Sequence, residues 1–151
     1  MFSTVRFFIK TSLVFLGIGL ATGLFMIVLR DVFERPYGYE LISAHAHVIL
    51  VGSVMMMIMG VALWFFPRPE KGDATYSPAR ILVAYWILTL GTAVRFTAQV
   101  ILAFIPSPAL RLVAVVAAFA QVLAIVLFFH ANWKRIRPLG SAKREAEGER
   151  F

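Results

Sequence analysis

Four runs of apolar residues, each about twenty to twenty-five long, take up most of this 151-residue chain: residues 11–29, 41–66, 81–105 and 109–133. A helix needs about 20 such residues to cross roughly 30 Å of hydrocarbon. In lipid, a span outside a closed barrel must be helical, because its backbone polar groups have to be satisfied within their own segment. The expected fold class is therefore all-α and integral to the membrane: a bundle of four antiparallel transmembrane helices, with the lipid bilayer as first partner and no room for a separate soluble domain. Composition agrees. Sixty per cent of the residues are hydrophobic and 15% charged, against about 25% charged in an ordinary soluble domain. With no cysteine, a disulfide framework, a thiolate metal site, an iron–sulfur cluster and a thioether-attached haem are excluded.

Proline punctuates the runs. Pro67-Arg68-Pro69 closes the second and Pro106-Ser107-Pro108 the third. The first run follows Arg6 and Lys10, as a signal peptide would. It exceeds the ~7–15 residues of a signal core and no small-x-small cleavage site follows, so it reads as a retained helix. Within it Gly19 and Gly23 form a GxxxG pair, extended by Gly17, of the kind that lets helices approach closely in lipid. Residues 134–151 form a basic tail. Leaving out Arg95 inside the third span, eleven of the lysines and arginines lie at the ends shared with the termini and three, Arg30, Arg35 and Arg111, at the opposite ends. That bias predicts both termini in the cytoplasm of a multi-pass protein of the inner (plasma) membrane. It also accounts for the net charge of +7. A nucleic-acid partner would need a basic face with base-reading or stacking groups, which a short juxtamembrane tail does not offer.

Polar groups inside the spans are the candidate functional residues, because ionisable side chains in hydrocarbon are costly and face the bundle interior or a partner. The second span carries His45 and His47, the third Arg95 and Gln99, and the fourth Gln121 and His130. Two residues apart on a helix is about 200° of rotation. The two histidines therefore point to nearly opposite faces and serve two sites, or two copies of one site. From its distance along the fourth span, His130 sits about 20 Å from their depth, too far to share a metal with them, and reads as an interfacial residue. Arg95 lies about 15 Å inside its span and calls for an anion. Glu40, Asp31, Glu34 or the carboxylate of a ligand are the candidates. Met55, Met56, Met57 and Met59 read first as core filler; with His45 and His47 they are also a possible copper(I) path. Met26 lies at a depth similar to His45 and is a candidate axial ligand for a haem.

The stretch Ala44-His45-Ala46-His47-Val48, followed by Gly52, Gly60, Trp64 and Phe66-Pro67-Arg68, resembles the second helix of haem-copper oxidase subunit I and of the nitric oxide reductase catalytic subunit. There a histidine near the outer start of that helix ligates a low-spin haem. The resemblance covers the first four helices of a twelve-helix fold. The family's copper-site histidines lie on later helices that this chain lacks, so a complete oxygen- or NO-reducing centre is not implied. That fold is built from three four-helix arcs with approximate threefold symmetry. Its tenth helix, symmetry-related to the second, carries a His-x-His whose imidazoles ligate two haems. The resemblance thus implies a haem b with two histidine ligands, used for electron transfer or for haem or gas sensing. It would be shared between His47 of one chain and His45 of the next in a homotrimer, with Arg95 on a propionate. An isologous dimer, or Met26 closing the site within one chain, are the other arrangements. A copper-handling or transport protein, and an assembly subunit without cofactor, are the alternative functions. The sequence names no redox partner.

Overall fold

The computed structural model describes residues 2–67, 76–136 and 148. Arg68 and Pro69 of the first stop signal, and the tail from residue 137 apart from Gly148, lie outside the described residues. Helix α1 (Phe2–Asp31) leads into a composite second span made of α2 (Tyr39–His47), a π-helical segment (Val48–Met55) and α3 (Met56–Phe65). Helices α4 (Pro78–Leu102) and α5 (Pro108–Asn132) follow, ending in a short 3₁₀ turn, Trp133–Arg135. All four spans are long and apolar enough to cross a membrane. This is a four-helix, all-α membrane protein, and large apolar side chains such as Leu20, Leu24, Leu112 and Phe119 stand exposed around it, as lipid-facing residues do.

The boundaries differ from the apolar runs for local reasons. Helix α1 begins nine residues before the run, carrying Arg6 and Lys10 beyond the uncharged stretch. Helix α4 runs from 78 to 102 rather than 81 to 105. Pro78 takes its first helical position, where a missing N–H is harmless. At the other end Pro106 disfavours helical geometry just before it. The same Ser-Pro signal starts α5, where the Ser107 hydroxyl accepts from the Leu110 N–H at 3.4 Å.

Consecutive spans pack on one another, and α5 rests principally on α4. The terminal end of the bundle is tied across by aromatics. Phe8 of α1 meets Tyr85 of α4 at 5.2 Å and Phe128 of α5 at 5.6 Å, both edge-on, and the Tyr85 hydroxyl shares a 2.8 Å hydrogen bond with Thr11. Met56 and Met59 are fully buried in the core with Val48, Leu63 and Leu88. Arg135, counted above with the basic tail, belongs to the bundle instead. It is 2% exposed, donates to Pro67 O at 2.9 Å and to Asn132 Oδ1 at 2.7 Å, and lies over the Tyr76 ring at 4.8 Å. Its guanidinium thereby covers backbone carbonyls left without helical partners where the second span ends.

The π-helical segment has no counterpart in the apolar pattern. Its wider i→i+5 turns begin just after His47, and such segments concentrate at functional sites. Gly52 sits within it, where the second span meets the first and the third. A Cβ there would lie 2.8 Å from Thr92 Cγ2 and 3.0 Å from the Phe15 ring. Gly52→Leu should therefore cost about 1–3 kcal/mol through overpacking and lower the melting temperature in detergent. Gly17→Leu should leave it unchanged, since a Cβ at Gly17 meets nothing within 4 Å. Gly17 is accordingly not part of the small-residue contact face expected with Gly19 and Gly23.

Candidate functional site

His45 points to α1. Its Nδ1–H donates to the Gly19 carbonyl at 3.0 Å. The ring reaches this position because Gly23 has no side chain: a Cβ there would be 3.0 Å from His45 Cε1. A Cβ on Gly19 would collide with Ile49. The GxxxG pair is therefore the seat of the second span, and of His45 in particular. Met26, one turn beyond Gly23 on the same face, is buried.

His47 points the other way, to α4. Its Nδ1 is 2.8 Å from the Ser43 carbonyl and its Nε2 is 2.9 Å from Arg95 Nη2. A guanidinium only donates and a carbonyl only accepts. His47 is therefore the neutral tautomer with its proton on Nδ1 and its Nε2 lone pair facing Arg95. The two imidazoles share one arrangement: each donates Nδ1–H to a backbone carbonyl, which fixes the ring and, in neutral His45 also, leaves Nε2 as the acceptor. Metal-ligating histidines carry this kind of support.

Around His47 a polar chain crosses three spans. Arg95 Nη1 donates to Gln121 Oε1 at 3.0 Å, and Gln121 Nε2 donates to Thr92 Oγ1 at 2.9 Å. On the other side the Gln99 amide bonds the Ser43 hydroxyl at 2.8 Å. Interhelical hydrogen bonds in membranes average about 0.6 kcal/mol each; their larger effect here is to hold α4 and α5 in register with α2.

Arg95 does not pair with the acids expected for it. Asp31 pairs with Arg30 at 2.6 Å, Glu34 is exposed, and among the described residues Arg95 makes no ion pair. Its partners are the neutral acceptors of His47 and Gln121. Glu40 lines the same cavity as Arg95 without pairing with it. Thr92 and Ser43 also belong to the network, although neither is ionisable and neither stands out in its span. The signal was present, since Thr92, Arg95 and Gln99 recur at the three- and four-residue spacing of one helix face.

His130 is exposed at the far end of α5. Gln121 is level with His47 through Arg95, and His130 lies nine residues beyond it, about 14 Å along the helix. The separation is shorter than the 20 Å expected, and still too great for shared ligation. Of the four methionines, Met56 and Met59 are core and Met57 Sδ accepts from the Ser12 hydroxyl at 3.7 Å. Among the described residues no three His, Cys, Asp or Glu side chains converge to hold a metal ion. No known protein family, curated protein or solved structure matches this chain.

Proposed function

We propose that this protein binds haem b in the inner membrane, through one histidine ligand on each side of the iron, and serves electron transfer or haem or gas sensing. The observation that carries the reading is the pair of imidazoles, each locked by a backbone carbonyl with Nε2 as the acceptor, one turned to α1 and the other to α4. A bound haem would supply a one-electron couple, and two neutral imidazoles favour a six-coordinate, low-spin centre.

The residues present fit such a group on one condition. His45 Nε2 makes no hydrogen bond among the described residues, so its lone pair is unused. His47 Nε2 faces Arg95, so ligation there requires Arg95 to change partner, and a propionate carboxylate is a better acceptor for a guanidinium than an imidazole nitrogen is. Arg95 thus has two roles in the reading: it covers His47 Nε2 until a ligand arrives, then holds the ligand's carboxylate. Because the imidazoles diverge, one chain cannot close the site with these two residues, and a second copy of the chain supplies the missing ligand. A ring of three uses every histidine. The resemblance to one arc of a threefold membrane fold supports this number, and the positive-inside bias supports cytoplasmic termini.

The test is optical. The protein purified in detergent from haem-replete cells should show a Soret band, with the visible bands of low-spin haem b on reduction. A colourless protein that also takes up no added haemin would refute the reading and leave copper handling or a cofactor-free assembly role.

A further inference from the structure

A cavity of about 200 Å³ lies between α4 and α5 near their loop-joined end, reached from α2 by Glu40. Arg95, Gln99 and Arg111 line it, and Ala118 forms part of its α5 wall. Two buried polar atoms at this site have no partner among the described residues: Arg95 Nε and Gln99 Oε1. Gln99 is only 6% exposed. Buried polar groups are ordinarily bonded, and a guanidinium left in a membrane span without a counter-ion is costlier still.

The unmet valences share one chemistry. Arg95 Nε–H is an unused donor, and beside it stands Nη2, which has two N–H groups of which His47 accepts one. Nε–H and an Nη2 N–H are the parallel pair of donors that a carboxylate accepts bidentately. A half-turn of the Gln99 amide keeps its bond to Ser43, with the hydroxyl now donating, and turns Nε2 to the unbonded position as a further donor. Two arginines and Glu40 give the lining a net charge of +1, which suits a monoanion better than a phosphate or sulfate dianion. The size suits a small organic acid, since a cavity of about 150 Å³ holds a benzene ring.

We propose that this cavity binds a small monocarboxylate, held by the Nε edge of Arg95 and the Gln99 amide, with exposed Arg111 at its rim. The site does not require haem. Its carboxylate has two possible sources, a free acid or the propionate of a haem bound as proposed above.

The experiment is a melting-temperature titration of the full chain in detergent, with sodium acetate against sodium chloride at equal ionic strength and haem content measured beforehand. Acetate should give a saturable rise that chloride does not. Arg95→Gln should weaken the acetate midpoint tenfold or more, as loss of a charge-assisted hydrogen bond does, and Arg111→Gln should weaken it about threefold. Ala118→Leu, which fills the cavity from α5, should abolish the response while the helical circular dichroism is retained. Because Arg111 is exposed, its variant folds whether or not Arg95→Gln does. In haemin-loaded protein, a retained response assigns the site to a free acid and a lost response assigns it to the propionate. An equal response to chloride, or an unchanged acetate midpoint in both Arg111→Gln and Ala118→Leu, would overturn the proposal. The Soret measurement is separate, so either reading can fail without the other.

Discussion

His45→Ala and His47→Ala are each expected to cut haem content to half or less, and to convert what remains from low-spin to high-spin. Under the shared-site reading every haem takes one His45 and one His47. Removing either kind leaves every iron with a single axial imidazole, and losing a strong axial ligand changes the spin state. The two variants should differ in the residual protein. His47→Ala leaves Arg95 with Gln121 alone, a guanidinium with fewer acceptors deep in its span, and should also lower stability. His45→Ala removes a ring seated on Gly19 and Gly23 and leaves the Arg95 network intact. His130→Ala should change neither haem nor stability, because that residue is exposed about 14 Å further along its helix. Pyridine haemochrome quantitation with optical and EPR spectra measures all three. Normal haem in both His45→Ala and His47→Ala would exclude the histidine site.

Assembly is expected to follow the haem. Native mass spectrometry of the haem-loaded protein should give a trimer with three haems. The haem-free protein should dissociate more readily, since anything bound only by the assembled state stabilises it by mass action. The reasoning is geometric. Identical chains close into rings, and a ring with His47 of one copy facing His45 of the next uses both ligands of every chain. An isologous dimer would pair one histidine with its own copy, leave the other without iron, and show one haem per two chains. A haem-loaded monomer would require a second ligand from the same chain. Met26, buried on the α1 face that seats His45, would then be the residue to test, and the shared-site idea would fall.

Much of the candidate site was legible because membrane spans make polar residues conspicuous. His45, His47, Arg95, Gln99 and Gln121 stand out against apolar neighbours at once, and a rotation of about 100° per residue already separates the two histidines. What could not be read was the partner of Arg95. Charge alone nominates an acid. In the folded chain the guanidinium instead meets His47 and Gln121, because α2, α4 and α5 bring those neutral acceptors to its level while Glu40 stays nearer the loop-joined end. The buried place of Arg135 is hidden from the sequence for a related reason. A basic residue next to a span counts as surface until the fold shows the bare carbonyls of residues 66 and 67 beside it.

The sequence by itself determined that there are four helices and that they suit lipid. The hydrocarbon thickness sets a minimum run of apolar residues, and only one secondary structure satisfies the backbone of such a run within its own length. It also determined that the two histidines diverge, since that follows from helix geometry alone. Tertiary structure decided which face of each helix is inside, because these spans are apolar nearly all round and carry little periodic signal for orientation. It placed the π-helical turns at Val48–Met55, where a glycine between Phe15 and Thr92 lets three spans close on one another. It also set the His45 imidazole on a carbonyl 26 residues away in α1, and brought His47, whose carbonyl partner Ser43 is local to its own helix, to an arginine 48 residues away. No local pattern carries such pairings; they arise from packing between helices that meet only after the chain has turned back on itself.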